Sequence, residues 1–256
     1  MRSRPILHPP IQVSHLYYRL TRILVWGGIT RYFSISGVDD FEGLPAPGTP
    51  AIFIGNHQNG LMDPMPFSGF VPQQIHWLTR ADVFWNPVAR HILWGYNQMP
   101  VYRQRDRVDQ LRERNDVIFD ACVDRMHAGA AMGIFPEGTR SRRDQPPFLS
   151  EGKTGVARLA ASHPDVPVFP TAIIGARSVM APGDKSIRFW KRVEITYGKS
   201  ITWNEWLVHP AGGAQDNASL QAIIDSQPDE QRDTLRGLYR RFTDQLMGSI
   251  EALGAP

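Results

Sequence analysis

Cysteine is almost absent. The 256-residue chain has one, Cys122, so no disulfide can form within it and no cysteine-based zinc site can be assembled. Lysine is scarce as well: 24 of the 28 basic residues are Arg, the better side chain for forked contacts to phosphate or carboxylate, although such usage also follows from genomic bias. A strong charge of either sign is missing; 28 bases against 25 acids leave +3, which is not a nucleic-acid-binding composition. Long apolar runs are missing too. The longest charge-free stretch of the apolar N-terminal segment, Ile23 to Thr30, has eight residues, against about 20 for a spanning helix. Neither an uninterrupted apolar run nor a small-residue cleavage site marks a secretory signal there.

What the first 38 residues lack is acid: they hold Arg2, Arg4, Arg19, Arg22 and Arg31 and no Asp or Glu. From His15 to Phe33 apolar and aromatic residues alternate with Arg, and Leu16, Leu20, Ile23 and Gly27 recur at helical spacing. Such a helix suits the headgroup layer of an anionic membrane. It equally suits an ordinary helix docked on its own domain. The expected division is therefore an N-terminal amphipathic membrane-interface segment over 1–38 and an α/β domain over 39–256, with the protein peripheral or monotopic on the cytoplasmic face of the cell membrane.

Hydrophobic residues at 42% and charged residues at 21% are ordinary for a globular chain, and the length fits one α/β domain. Ala51–Gly55, Ile75–Thr79, Ala131–Phe135, Val166–Ile174 and Val193–Tyr197 read as short buried strands. Helices are expected over Arg107–Met126, Glu151–Ser162 and Asp229–Leu253, the last with Leu235, Leu238, Phe242, Leu246 and Ile250 on one stripe. This alternation argues a single central sheet flanked by helices. Gly43–Pro50, Arg142–Pro147 and Val208–Gly213 read as loops.

Two phosphate-loop look-alikes fail. Gly152-Lys153-Thr154 and Gly198-Lys199-Ser200 lack the earlier Gly, with Pro147 and Val193 in its place. No Gly-x-Ser-x-Gly elbow supplies a serine nucleophile. The informative stretch follows the first strand, Gly55-Asn56-His57-Gln58-Asn59-Gly60-Leu61-Met62-Asp63-Pro64. A His just past a strand end with a carboxylate nearby can act as a base and its orienter. Six residues along one helix turn by about 600°, so the two side chains meet only if the chain folds back before Asp63. Asp before Pro is also an ideal helix start. A second stretch, Phe135-Pro136-Glu137-Gly138-Thr139-Arg140-Ser141, would project Glu137 and Arg140 at the sheet edge where open α/β sheets bind ligands. A third, Met99 to Arg107, is either a solvated loop or a strand with Arg103, Arg105 and Arg107 on one face.

In order, these blocks resemble the glycerolipid acyltransferases of the lysophosphatidate acyltransferase superfamily. Asn56-His57…Asp63, Pro100-Val101-Tyr102-Arg103, Phe135 to Ser141 and Val166-Pro167-Val168 match its four blocks, from about Pro50 to Pro170. One departure stands out: five residues separate His57 from Asp63, where the commonest pattern has four. A subset including fungal-type glycerol-3-phosphate acyltransferases and many bacterial relatives shares the longer spacing, so the spacing does not transfer the acceptor's identity.

The resemblance implies transfer of a fatty acyl group from acyl-CoA or acyl-ACP, the donor substrates, to a hydroxyl of 1-acylglycerol-3-phosphate, with no cofactor and no metal. In it His57 is the general base and Asp63 its orienter. Arg103 and Arg140 clamp the acceptor phosphate, and Glu137 orients Arg140 or an acceptor hydroxyl. Gly138 and Thr139 bring backbone close to the substrate, and Lys153 is a further cation for the anionic site. The partners implied are a membrane lipid surface, a lysophospholipid or glycerol phosphate acceptor and the acyl carrier. The alternatives are acylation of glycerol-3-phosphate or another lysolipid, and a non-catalytic phospholipid-binding protein.

Overall fold

Among the described residues, seven short strands carry the architecture: β1 (Ile35–Ser36), β2 (Ala51–Gly55), β3 (Ile75–Arg80), β4 (Gln98–Val101), β5 (Ala131–Ile134), β6 (Val168–Ile174) and β7 (Val193–Tyr197). The computed structural model describes residues 7–9, 16–20, 23, 35–36, 44–60, 63–64, 71, 73–106, 108–141, 143, 145–181, 184, 186, 188 and 190–256. The strands form one sheet in the order β1-β7-β6-β2-β5-β3-β4. From β6 through β4 neighbouring strands run parallel; β7 is antiparallel to β6, and β1 is parallel to β7.

The period of two explains the position of β2. Ala51 and Phe53 pack on one side, Ile52 and Ile54 on the other, and all four are fully buried. A strand buried on both faces belongs inside a helix-covered parallel sheet. The helices are α1 (Pro87–Gly95), α2 (Leu111–His127), α3 (Gly155–Ser162), α4 (Ala176–Val179), α5 (Trp203–Val208), α6 (Asn217–Asp225) and α7 (Pro228–Ala252). Ile118, Cys122 and Met126 of α2, Val156 and Leu159 of α3, and Leu238, Phe242, Leu246 and Ile250 of α7 close over the Ile52–Ile54 side. The opposite side gathers Phe53, Trp77, Phe169 and Ile173 with Val71 and Val179.

Several expected boundaries shift for local reasons. The helix expected from Arg107 starts at Leu111, because Gln110 is left-handed at φ 55; Arg107 itself lies outside the described residues. The helix expected from Glu151 starts at Gly155, because the Lys153 N–H is held by the Pro136 carbonyl at 2.8 Å. The third stretch is neither of the alternatives read from it. Residues 98–101 form β4, an edge strand, where Pro100 costs no inner ladder bond. The strand stops at Val101, so the alternating-Arg arrangement does not arise, and Gln104–Asp106 is a 3-10 turn. Of the segment read as an interfacial helix over 15–33, residues 16–20 and 23 are helical; the rest of that expectation lies outside the described residues. No described helix is long and apolar enough to cross a membrane.

Parallel pairing brings the C-terminal ends of β2, β3, β4, β5 and β6 to one edge. His57 follows β2, Asp82 follows β3, Arg103 follows β4, the Phe135–Arg140 turn follows β5 and Arg177 follows β6. This is the edge at which open α/β sheets hold ligands. One glycine sets its alignment: a Cβ on Gly133 would lie 2.6 Å from the Trp77 ring. Gly133→Ala is therefore expected to destabilise the fold by about 1–3 kcal/mol, the usual cost of overpacking. The urea midpoint measures this, and an unchanged midpoint would show that Trp77 can yield.

Candidate active site

His57 lies two residues past the end of β2, outside any helix or strand, and the chain turns back within six residues. The His57 Nδ1 and Asp63 Oδ2 lie 2.9 Å apart despite the five-residue gap between them. The same Oδ2 accepts the N–H of Gln58 at 2.8 Å and of Asn59 at 2.6 Å. One carboxylate oxygen thus closes the loop and orients the ring. A carboxylate can only accept, so Nδ1 carries the hydrogen and Nε2 keeps its lone pair. Asp63 is fully buried. Burial pushes its carboxyl above the ordinary 3.8, while the imidazole and the two backbone N–H groups pull it back.

The imidazole is also held from the side. It stacks on Phe135, centroids 4.3 Å apart and planes at 9°, and Phe135 stacks on Trp77 at 4.8 Å. Asn56, just before the base, donates to the Ile173 carbonyl at 2.8 Å and accepts the Ile173 N–H at 2.7 Å. Its amide extends the β2–β6 ladder by one rung and fixes where the loop departs.

Glu137, in the resemblance the residue that orients Arg140 or an acceptor hydroxyl, is buried. One oxygen accepts the His57 N–H at 2.6 Å; the other accepts the Ser150 hydroxyl at 2.7 Å and N–H at 3.1 Å. With both oxygens so engaged, its task is to join the two motif loops. Burial raises its pKa, against the bonds from Ser150 and His57 that lower it.

Gly138 and Arg140 line the same cavity as His57. Gly138 is left-handed at φ +65, and a Cβ there would lie 2.9 Å from the Lys153 ammonium. Arg140 lies over Gly60 of the His57–Asp63 loop, its guanidinium 3.7 Å from where a Gly60 Cβ would sit. Gly138, Thr139, Arg140 and Lys153 all line the cavity that His57 faces. Among the described residues neither Arg140 nor Lys153 has a carboxylate partner. Arg103 also lines the cavity, but its guanidinium is already forked onto Asp106, at 2.6 Å at the shortest, and reaches Asp82 at 3.4 Å. Its charge is largely answered within the protein, unlike those of Arg140 and Lys153.

Arg177 escaped sequence reasoning. It lines the cavity, donates to the carbonyls of Ser141 at 3.5 Å and Arg143 at 2.8 Å, and lies over Phe148 at 4.2 Å. Nothing in its local sequence marks it, since its contacts all lie more than 25 residues away. The cavity is about 1230 Å³, larger than the about 300–1,000 Å³ usual for a small-molecule pocket. Its lining combines His57, Thr139, Arg140 and Lys153 with the apolar side chains of Ile118, Phe119, Cys122, Ile134, Val156 and Leu159. No Asp or Glu lines it among the described residues. An apolar molecule with an anionic head fits a lining of that composition.

Asp63→Asn separates chemistry from folding. Losing the orienting charge is expected to lower turnover by about 10³–10⁴. A carboxyl whose folded pKa lies above the unfolded 3.8 opposes folding as pH rises through that range, and this opposition vanishes below 3.8. The variant should therefore be no less stable than the parent at pH 7, with the parent gaining on it as the pH falls towards 3.8. Thermal melts across that range measure it; a variant destabilised at pH 7 and matched at low pH would contradict the assignment.

Residues 37–174 match the protein family described as Acyltransferase, a span that contains every motif block above. The chain is 30% identical over 200 residues to the 1-acyl-sn-glycerol-3-phosphate acyltransferase BAT2, chloroplastic, of Brassica napus, covering 76% of this chain and 54% of that protein. It is 26% identical over 138 residues to the 1-acyl-sn-glycerol-3-phosphate acyltransferase of Bacillus subtilis, covering 54% and 61%. The chain thus spans about half the length of the plant relative and three fifths of the bacterial one. In fold it is similar to the 1-acyl-sn-glycerophosphate acyltransferase PlsC of Thermotoga maritima, with a TM-score of 0.54 and 20% identity over 90% of this chain and 79% of that one. On the match that covers its motif blocks, the chain belongs to the acyltransferase family.

Proposed function

We propose that this protein transfers a fatty acyl group from an acyl thioester to the free hydroxyl of 1-acylglycerol-3-phosphate. The observation that carries the reading is the His57–Asp63 pair at 2.9 Å, set in the wall of a cavity lined by both cations and hydrocarbon. Nε2 of His57 takes the proton of the acceptor hydroxyl as its oxygen attacks the thioester carbonyl carbon. Asp63 steadies the imidazolium that forms. The tetrahedral intermediate collapses, the carbon–sulfur bond breaks, and the departing thiolate recovers the proton from His57. No protein nucleophile is acylated. Arg140 and Lys153 hold the acceptor phosphate, with the backbone at Gly138 and Thr139 close enough to join them. Arg103 contributes through its ion pair with Asp106, by shaping the cavity wall rather than by offering an unanswered charge.

Names of relatives support this acceptor: the similar plant and bacterial proteins are named for 1-acyl-sn-glycerol-3-phosphate. The donor is acyl-CoA or acyl-ACP, and both present the same thioester to His57. A lysolipid acceptor lives at a membrane surface, so the working protein is peripheral. Its acid-free N-terminal segment, with five Arg in residues 1–38, would favour the anionic cytoplasmic leaflet by about 1 kcal/mol per basic residue close to the surface.

Thiol release from acyl-CoA, and separately from acyl-ACP, tests the reading with lysophosphatidate, with glycerol-3-phosphate and with neither. Release that depends on lysophosphatidate is expected, and His57→Ala should lower it by about 10²–10⁴. Release with glycerol-3-phosphate alone would reassign the acceptor, and no release with any acceptor would leave a lipid-binding protein.

A further inference from the structure

A short helix forms part of the cavity wall. Helix α1 is capped by Asn86, whose side-chain oxygen accepts the N–H of Val88 at 3.0 Å and of Ala89 at 3.1 Å. Five of its nine residues are apolar (Val88, Ala89, Ile92, Leu93 and Trp94), yet none of the nine is buried. An apolar helix of a globular domain ordinarily buries one stripe against the core. This one divides its apolar residues instead. Ala89, Ile92 and Leu93 line the cavity that holds His57, while Val88 is 70% exposed and Ile92 45%. Ile92 thus touches both sides of the wall.

A second exposed stripe lies against this helix. Tyr17 meets Tyr96 edge to face at 5.7 Å, and a Cβ on Gly95 would lie 2.4 Å from the Tyr17 ring, so the two segments touch where glycine permits. From the same helical stretch Leu16, Leu20 and Ile23 stand exposed at 67%, 52% and 65%, at the i, i+4, i+7 spacing of one face. Of the nine large hydrophobic residues exposed among those described, six belong to these two adjoining segments. Concentration of that kind marks an interaction surface rather than scattered exposure. The described charges upon it are basic, Arg19 and Arg90, and no Asp or Glu lies on α1 or at the described residues 16–20 and 23. Aliphatic side chains with basic neighbours complement an anionic lipid surface.

We infer that α1 lies in the surface of an anionic lipid layer and forms the lipid-side wall of the cavity, so that a substrate's hydrocarbon chain passes into the cavity beside Ile92. The lipid layer as occupant is favoured because the surface continues, through Ile92, into a cavity whose lining holds both hydrocarbon and cations. The chain-passage part rests on the acyl-transfer reading; the docking part does not. Passage across α1 lets the chain leave the bilayer without being exposed to water, while its head group reaches Arg140 and Lys153 at the strand ends.

Two sets of variants of the full chain test it. Val88→Asp with His91→Asp places two acids on exposed positions that do not line the cavity. Binding to vesicles of phosphatidylglycerol and phosphatidylcholine should fall at least tenfold. The apparent KM for vesicle-embedded lysophosphatidate should rise by a similar factor, with turnover of a soluble short-chain acceptor within twofold of the parent. Ile92→Trp should keep vesicle binding and lower kcat/KM for long-chain acceptor about tenfold relative to short-chain acceptor. Unchanged vesicle binding by the folded double variant would overturn the docking. Equal effects of Ile92→Trp on long and short chains would overturn passage beside it. A parent protein that binds vesicles through α1 but transfers no acyl group would overturn the acyl-transfer reading and leave the docking standing.

Discussion

One carboxylate oxygen organises the site. Asp63 Oδ2 receives the imidazole and two consecutive backbone N–H groups, all within 2.9 Å. Those three donors explain how a residue six positions from His57 can orient it, which a continuous helix would forbid. The burial that raises the cost of the Asp63 charge also excludes water from the pair, which strengthens each bond it makes. The fold supplies the rest of the support: Phe135 and Trp77 stack beneath the ring, Glu137 fixes its backbone, and Asn56 fixes the end of the strand it leaves.

The support converges because the strands are parallel. Five strand ends share one edge, so residues far apart in sequence become neighbours without long loops. The cross-links there are short and largely hidden: Glu137 spans from the β5 turn to His57, and the Ser141 N–H donates to the His57 carbonyl at 3.1 Å. Arg140 and Lys153 stay uncommitted to carboxylates among the described residues, whereas Arg103, Arg80 and Arg158 are paired with Asp106, Asp82 and Asp116.

Where periodicity was strong, the sequence was readable. β2 and β7 lie where the buried runs put them, and the stripe of α7 from Leu238 to Ile250 packs as its spacing requires. Weak patterns misled for physical reasons. Pro100 disguised β4 because an edge strand tolerates what an inner strand would not. Helix α1 is short and carries its apolar residues on a cavity wall, so no core-facing stripe announced it. Site residue types were legible from the motif blocks, but their duties were not. Glu137 and Arg103 carry charges that suit a ligand, and only the fold shows that Ser150, the His57 backbone and Asp106 already answer them.

The central claim is that His57, aimed by Asp63, activates the acceptor hydroxyl for direct attack, with no acyl-enzyme on the way. Incubating the protein with radiolabelled acyl-CoA, without acceptor, and denaturing it rapidly tests this most directly. The account predicts no covalently bound label, together with initial-rate patterns for the two substrates that intersect rather than run parallel. Stoichiometric acylation of the protein, transferred to lysophosphatidate on its addition, would contradict it.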